Sequence, residues 1–362
     1  DGAENKPERY ISVEDYKKLI TDKYIGEVEK RGGTPVLMTA NAAAWWDEEN
    51  NCFMESRKDY ADPTREIAEE TGCKFIDENK IVTDAWNSMS KNRVLSGYFV
   101  CEPLESKAYP SGTNDTTHMK AKGAKRVAKL IADAIPENVP ELSKYLKGDE
   151  TFTDIQGHWA ENVIKTLAES DKISGVGDGK FNPDGTVTRA EFLKMAMDSL
   201  GIVGHAYRDG ECLDATNDDW YCYYLQGALD KDIIPEEMIE NCNVTKVTKT
   251  LAEATDDKKA VTTDVNVYTG KFDGDKPITR EEMAAIAVRC KNYKMRRLTD
   301  WDNERRYPIF SFKDSDEIDE KYISDVVKAY NLNYIDGMED GRFAPKENLT
   351  RAQAAVVMNN LK

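Results

Sequence analysis

The stretch FTDIQGHWAENVIKTLAESDKISGVGDGKFNPDGTVTRAEF, residues 152–192, decides the fold of the second part of the chain, because its pattern returns twice more. The second copy begins as YRDGECLDATNDDWYCYYLQGALDKDII (207–234) and resumes as KPITREEM (276–283). The third copy spans residues 312–354, from FKDSDEIDEKYI to NLTRAQA. Such internal repeats are typical of units that bury their apolar faces against one another.

The copies agree in register at aromatic and charged positions. Asp178 stands eleven residues before Arg189, and Asp340 stands eleven residues before Arg351. Near the start of each copy, an aromatic residue stands five places before an apolar one, and these aromatic residues are Trp159, Trp220 and Tyr322. Each copy therefore predicts a helix, a glycine-rich loop and a second helix.

The second helix of each copy begins at a threonine that is followed by arginine. Threonine is a favoured N-cap, and an acid or glutamine in the first turn completes a capping box. The N-cap residues are Thr188, Thr279 and Thr350, and their first-turn partners are Glu191, Glu282 and Gln353. The sequence therefore predicts the start of each of these helices to the residue.

The FxD opening, the HWA, the GxxDGxFxP loop and the TRAE helix start resemble those of S-layer homology (SLH) repeats over nearly all of residues 150–362. The resemblance implies a mainly α-helical, three-fold pseudo-symmetric spindle that three repeats complete. It also implies binding to secondary cell-wall polysaccharide, which often carries anionic pyruvyl ketals. We therefore expect an extracellular protein of the bacterial cell wall or S-layer.

The resemblance further implies which residues bind the polysaccharide. Arginine clamps carboxylates bidentately, and the first turn of a helix favours anions. Aromatic rings can stack on sugars, while carboxylates can bond sugar hydroxyls or orient the arginines. The expected residues are Asp154, Trp159, Gly175, Arg189, Asp209, Trp220, Arg280, Asp314, Tyr322, Gly337 and Arg351. The alternative is that the Arg–Asp sets only hold the repeats together.

The second copy departs most from the pattern. About 40 residues, 235–275, replace its glycine-rich loop, so we expect its groove to be blocked or inactive. The loops GDGKFNPDG (177–185) and DGDK (273–276) lack the alternating carboxylates and closing glutamate of an EF-hand. They are interpreted as turns, and neither a metal nor a cofactor is expected.

The first part of the chain alternates helical and strand patterns. The predicted helices are 12–30, 63–70, 79–90 and 119–135, and the predicted strands are 35–39 and 74–77. This order indicates part of a parallel α/β sheet, in which active-site groups lie on loops beyond the carboxyl ends of the strands. The loop YPSGTNDTTHM (109–119) has that position and contains Asp115 and His118.

DTTHMKAKGAKRVAKLI (115–131) resembles the last sequence block of the SGNH (GDSL-like) ester hydrolases, and KRGGTPVLMT (30–39) is similar to one of their strands. The resemblance covers about 135 residues and is greatest to carbohydrate acetylesterases of the rhamnogalacturonan acetylesterase kind. It implies a flavodoxin-like fold, Asp115 and His118 as catalytic residues, and an acetylated polysaccharide as substrate.

The nucleophilic serine and the oxyanion glycine and asparagine of that family come from earlier blocks, the last of which ends in Asn-Asp. This chain opens with Asp1, so we expect those groups upstream and no esterase activity in the chain as given. Three alternatives remain. Asp115 could cap a helix beside a surface histidine. Ser96 or Ser111 could replace the nucleophile, although neither lies on a strand–turn–helix elbow. The pair Trp45-Trp46 could form a sugar platform or simply pack.

Bulk properties fit a surface protein built from several domains. The chain has 362 residues and a net charge of −17, which argues against nucleic-acid binding. No run approaches the ~18 apolar residues of a membrane span. The expected divisions are 1–135 for the esterase-like part, 136–150 for a linker, and 151–204, 205–293 and 294–362 for the repeats. Two hypotheses follow: a surface-anchored carbohydrate deacetylase, or a purely anchoring protein with a non-catalytic N-terminal scaffold.

Overall fold

A computed structural model describes residues 11–146, 152–170, 172–206, 212–216, 218–252, 260–295 and 312–361. The chain divides into two compact units. Unit 1 contains Asp1–Cys101 and Thr113–Gly148, and unit 2 contains Glu102–Gly112 and Asp149–Lys362. Helices and sheets occur together, and the prediction of a multidomain chain is confirmed.

Unit 1 consists of helices around two short sheets. Its helices are α1 (Val13–Leu19), α2 (Gly26–Lys30), α3 (Lys58–Thr71), α4 (Glu78–Asn87), α5 (Lys91–Val94) and α6 (Ala121–Asn138). Its strands are β1 (Val36–Met38), β2 (Trp45–Asp47), β3 (Cys52–Met54) and β4 (Lys74–Ile76). A π-helical turn, Ile20–Ile25, joins α1 to α2, and the Ser12 side chain caps α1, so the helix predicted over 12–30 is present.

The two sheets differ in direction. β1 pairs with β4 in parallel, with Leu37 opposite Phe75, as expected for strands connected through a helix. β2 and β3 form an antiparallel hairpin that contains the two adjacent tryptophans. Among the described residues β1 has no second neighbour, and Val36 and Met38 on it are exposed.

The segment predicted as a linker over 136–150 begins as regular structure. α6 continues to Asn138 with Pro136 inside it, and a 3₁₀ helix follows over Pro140–Tyr145. The two prolines suggested a break, but Pro140 stands at the start of its helix, where its fixed φ is suitable and no N–H bond is lost. Regular structure therefore extends further into this segment than the sequence indicated.

Unit 2 contains the repeats. Its helices are α7 (Glu161–Glu169), α8 (Arg189–Leu200), α9 (Cys222–Leu229), α10 (Arg280–Met295), α11 (Glu320–Asn331) and α12 (Arg351–Asn360). Short 3₁₀ turns lie at Glu236–Met238 and Ser315–Glu317, and two strands, β5 (Glu240–Ala252) and β6 (Val261–Lys271), complete the described elements. The capping boxes predicted for α8, α10 and α12 are present.

Backbone hydrogen bonds join the segments that precede α8, α10 and α12 into a closed cycle. Val187 N donates to Leu349 O (3.0 Å), Leu349 N to Ile278 O (3.2 Å), and Ile278 N to Val187 O (3.1 Å). All three side chains are buried. The core of unit 2 is therefore shared by the repeats rather than divided among them.

The departure predicted within the second repeat is a β-hairpin. β5 and β6 pair antiparallel, with Val247 opposite Val265, in the interval 235–275 where the glycine-rich loop was expected to be replaced. Tyr268 on β6 anchors the hairpin, because its hydroxyl donates to Leu229 O at 3.2 Å. The hairpin is thus attached to the end of α9.

Candidate functional site

The arginines that begin α8, α10 and α12 are buried, each with 6–7% of its surface exposed. Each guanidinium donates to the carbonyl oxygen of a phenylalanine in another repeat. The bonds are Arg189 to Phe272 (2.6 Å), Arg280 to Phe343 (2.6 Å) and Arg351 to Phe181 (2.8 Å). Repeat 1 thus contacts repeat 2, repeat 2 contacts repeat 3, and repeat 3 contacts repeat 1. This geometry supports the interpretation in which the arginines hold the repeats together.

Carbonyl groups also occupy the first backbone N–H groups of these helices. Arg189 N donates to Lys276 O and Ala190 N to Gly274 O, both at 2.9 Å. α10 and α12 make the equivalent bonds to the loops that follow them in the cycle. The first-turn N–H groups that were expected to favour an anion are therefore not available to one.

Three aspartates fix the loops that receive the arginines. Asp154 accepts from the N–H groups of Phe181 (2.9 Å) and Asn182 (2.7 Å), and Asp314 accepts from Phe343 and Ala344, both at 2.8 Å. Each aspartate thereby positions the phenylalanine whose carbonyl binds an arginine. Their carboxylates orient the arginines through the loop, not by direct contact.

The second repeat uses a different aspartate from the predicted one. Asp209 lies outside the described residues. Asp214 accepts from Phe272 N (2.7 Å) and Asp273 N (2.9 Å), which is the arrangement of Asp154 and Asp314 in the other repeats. The sequence signal for Asp214 is its FxD-like triplet Cys-Leu-Asp, 212–214.

The two predicted glycines make room for aromatic rings of their own repeats. A Cβ atom on Gly175 would lie 2.5 Å from Phe152 Cε1, and one on Gly337 would lie 2.6 Å from Phe312 Cε1. Both distances are too short for a real contact, so each loop needs glycine. The expected close approach of the backbone therefore occurs, and the group that approaches belongs to the protein.

The aromatic residues of the three repeats are not equivalent. Trp159 and Trp220 are 66% and 51% exposed, whereas Tyr322 is 2% exposed. The expected role of Tyr322 in stacking on a sugar is therefore wrong, because its ring is inside the protein. Tyr322 corresponds to the buried Ala160, and the exposed Lys321 corresponds to Trp159.

Asp115 and His118 in unit 1 form a hydrogen-bonded pair. His118 Nδ1 lies 2.7 Å from Asp115 Oδ2, while Asp115 Oδ1 accepts from the N–H groups of His118 (2.9 Å) and Thr117 (2.7 Å). The backbone N–H of His118, its ring and the N–H of Thr117 lower the pKa of Asp115 to about 2. A carboxylate so held orients the imidazole, as in an acid–base pair.

The other nitrogen of this histidine is open. The His118 side chain is 82% exposed, and no described residue forms a hydrogen bond with Nε2. Ser96 Oγ donates to Asn92 O at 2.6 Å, so its hydroxyl is occupied by its own helix. Ser111 is exposed and, within the described part of the chain, makes no bond to His118. Neither serine therefore occupies the open nitrogen of His118.

The two adjacent tryptophans differ in how far their rings are packed. Trp46 packs edge-on against Phe53, with ring centroids 4.9 Å apart, and Lys91 Nζ lies 5.0 Å from its ring. Trp45 is 42% exposed. Packing therefore accounts for Trp46, while the ring of Trp45 is available on the surface.

The described residues contain no cluster of three or more histidine, cysteine, aspartate or glutamate side chains suited to a metal ion. Within the same part of the chain, no helix is both long and apolar enough to cross a membrane.

Comparison with known proteins agrees with the geometry of both units. The S-layer homology domain profile matches residues 151–193 and 311–355, which cover the first and third repeats. The chain carries S-layer homology domains. The chain is similar to an amylopullulanase of Thermoanaerobacterium thermosulfurigenes (33% identity over 62% of this chain) and to exoglucanase XynX of Acetivibrio thermocellus (34% over 60%). The matches span only 10% and 17% of those two proteins.

The part before the SLH repeats is similar to an esterase. The probable rhamnogalacturonan acetylesterase YesY of Bacillus subtilis is 29% identical over 137 residues, which are 38% of this chain and 58% of that protein. Unit 1 thus has esterase-like homology, and the chain spans little more than half of this relative.

The contribution of Asp115 to stability is expected to depend on pH. Because the folded-state pKa of Asp115 is about 2, below the ~3.9 of an unfolded aspartate, the stability that it contributes is present above that value and is lost as the pH falls toward 2. We expect the Asp115 carboxyl carbon to titrate near pH 2 in a ¹³C NMR experiment, while the exposed Glu49 serves as an internal comparison. A midpoint near 4 for Asp115 would contradict the hydrogen-bonded geometry.

Proposed function

We propose that the SLH repeats hold this protein at a bacterial cell surface by binding secondary cell-wall polysaccharide, and that they tether an SGNH-type carbohydrate ester hydrolase. Unit 1 supplies the later part of that hydrolase. The oriented and exposed imidazole of His118 supports the catalytic half of the proposal, because a general base needs a carboxylate partner at one ring nitrogen and an accessible second nitrogen.

We also propose a specific fold for each unit. The closed cycle of Arg–Phe and backbone contacts supports a three-fold pseudo-symmetric spindle for the repeats. The parallel β1–β4 pair between helices supports part of a flavodoxin-like sheet for unit 1. The unpaired edge of β1 among the described residues is where such a sheet would continue.

The proposed chemistry follows from the two carboxylate oxygens of Asp115. Oδ1 accepts from the backbone N–H groups of Thr117 and His118 and fixes the carboxylate, while Oδ2 accepts from Nδ1–H of His118. This tautomer leaves Nε2 as the base that deprotonates a serine hydroxyl. The serine oxygen attacks the acetyl carbonyl and forms an acetyl ester, while the imidazolium donates its proton to the leaving sugar oxygen. The imidazole then deprotonates a water molecule, which hydrolyses the acetyl ester, releases acetate and restores the serine. The substrate class is an acetylated polysaccharide, and the serine and oxyanion donors come from outside the described pair.

Sedimentation with cell walls tests the anchoring half. The purified chain should co-sediment with bacterial walls that retain their secondary polymer and should remain soluble once that polymer is extracted with hydrofluoric acid. Trp159→Ala together with Trp220→Ala should weaken binding at least tenfold, because each exposed ring offers a face to a sugar. Tyr145→Ala, which removes a 71%-exposed ring outside the repeats, is the matched control and should bind normally. Equal sedimentation with extracted walls would refute the anchoring function.

A further inference from the structure

Asn79 lies in the first turn of α4, and its side chain is completely buried. Its amide nitrogen Nδ2 donates to two carbonyl oxygens, those of Ala40 (2.9 Å) and Ser56 (2.8 Å). Its oxygen Oδ1 has no hydrogen-bond partner among the described residues. The contribution of this side chain therefore comes from the two carbonyl groups that its amide nitrogen joins.

The two carbonyl groups belong to segments that follow different strands of unit 1. Ala40 lies in the loop between β1 and β2, residues 39–44, which we call the β1 loop. Ser56 follows β3 and is also completely buried. Because the two segments are not adjacent in sequence, the amide of Asn79 fixes the distance between them.

Two further hydrogen bonds restrain the β1 loop. Asn79 N, which belongs to the first helical turn and so has no acceptor within α4, donates to Thr39 Oγ1 at 2.8 Å. Ser56 Oγ accepts from Ala43 N at 2.8 Å. Three residues of the loop are thus bonded either to Asn79 or to the serine that Asn79 holds.

The β1 loop also holds the segment that contains the Asp115–His118 pair. Ala44 N, at the end of the loop, donates to Thr116 O at 2.8 Å. The N–H of Thr117 belongs to the same planar peptide unit as this carbonyl, and it donates to Asp115 Oδ1. Because the unit is rigid, a movement of the loop that turned the carbonyl would also turn this N–H away from the carboxylate.

The pKa of Asp115 reports on this geometry. The backbone N–H of His118, the ring of His118 and the N–H of Thr117 together lower it to about 2. These donors bond the charged form of the carboxyl group, so the pKa rises when they move away. A displaced loop is therefore measurable at Asp115 without any assay of catalysis.

We propose that Asn79 is a positioning residue for the hydrolase: through the β1 loop it holds the Thr116–Thr117 peptide unit, and with it the carboxylate that orients His118. Within the described part of the chain, Asn79 itself makes no hydrogen bond to Asp115 or His118. The proposal rests on the catalytic role given to the pair above and adds a residue far from the Asp-x-x-His motif in sequence.

Asn79→Ala in the full chain tests the proposal through the ¹³C titration of the Asp115 carboxyl carbon. The natural chain should titrate near pH 2. The variant should titrate about one pH unit higher, toward the ~3.9 of an aspartate without partners, because the loop no longer fixes the donors.

Asn87→Ala is the matched control, since it removes the same side chain from the same helix. Asn87 Oδ1 accepts from Phe53 N (2.6 Å) and its Nδ2 donates to Phe53 O (2.9 Å), so its two bonds reach β3 and not the β1 loop. This variant should lose stability while the Asp115 midpoint stays where it is in the natural chain.

Kinetics separate positioning from stability in a protein that carries this chain together with the serine and oxyanion donors. Asn79→Ala should lower kcat for acetate release by about tenfold or more and leave KM unchanged, because a small displacement of catalytic groups slows the chemical step. Asn87→Ala should retain both constants. An equal fall of kcat in the two variants would overturn the positioning role.

The outcomes distinguish this proposal from the proposed function. If Asn79→Ala leaves the Asp115 midpoint near pH 2, Asn79 does not position the pair, and the catalytic role of the pair stands. If the natural chain itself titrates near the ~3.9 of a free aspartate, both fall. Should Asn79→Ala fail to fold by circular dichroism, Ser56→Ala decides, because it removes only the hydroxyl that accepts from Ala43 N. A raised midpoint would support the proposal, and an unchanged one would refute it.

Discussion

Replacement of Arg189 by alanine is expected to lower the free energy of unfolding of unit 2 by about 3–5 kcal/mol, because removing one partner of a buried ion pair leaves the other charge poorly compensated. Lys276 Nζ would remain 4.0 Å from Glu282 Oε1. Glu282, the partner, has a side chain only 7% exposed. The substitution also removes the donor to Phe272 O and so frees the loop of the second repeat. Urea unfolding followed by circular dichroism measures the change.

Two further variants serve as controls for Arg189→Ala. Arg342→Ala removes an exposed arginine that pairs with Asp340 and Glu347, and it should leave the midpoint unchanged within error. Arg189→Met combined with Glu282→Leu should recover most of the stability, since apolar replacement of a buried pair is often neutral. If Arg189→Ala lowers the free energy of unfolding no more than Arg342→Ala does, the contacts of Arg189 with Glu282 and Phe272 contribute nothing to stability.

Replacement of His118 by alanine is expected to reduce kcat on acetylated polysaccharide by about 10⁴-fold or more, since members of a triad act as a unit. The measurement is acetate release by a protein that carries this chain together with the serine and oxyanion donors of the proposal. Asp115→Asn should cause a loss of similar size, because the imidazole would no longer be held in the required tautomer.

The serines provide the controls for this prediction. Ser96→Ala and Ser111→Ala should retain full activity, because the first hydroxyl is bound to its own helix and the second makes no contact with His118 among the described residues. Loss of activity in Ser111→Ala with His118 intact would make that serine the nucleophile. Full activity in His118→Ala would remove the esterase assignment of the pair.

Local features were predictable because neighbouring residues determine them. The capping boxes at Thr188, Thr279 and Thr350 depend on a hydroxyl and a side chain one helical turn away, and all formed. The Asp115–His118 pair is equally local, since its two side chains lie within one turn of chain. In both cases sequence spacing translates directly into distance.

Contacts between repeats were not predictable in the same way. Arg189 was expected to face a ligand, but a carbonyl and a carboxylate more than 80 residues away in sequence surround it. Tyr322 was aligned with the tryptophans because it is aromatic. Counting back from Gly337 and Phe343 instead pairs Lys321 with the exposed tryptophan and leaves Tyr322 buried. Asp209 was predicted for the second repeat, and Asp214, which holds the loop at Phe272, was missed although its triplet Cys-Leu-Asp resembles the FxD opening.

The closed cycle of arginine contacts also limits how this gene can change. The arginine of each repeat donates hydrogen bonds to the loop of one neighbour, and its own loop accepts from the arginine of the other. Arg351 closes the cycle by donating to the loop of the first repeat. Deletion of one copy would leave one buried arginine without its carbonyl acceptor and one loop without its arginine. A single extra copy would have no free loop or arginine with which to pair. We therefore expect repeats of this kind to be gained, lost or exchanged as sets of three, because any other change would leave a buried guanidinium unpaired.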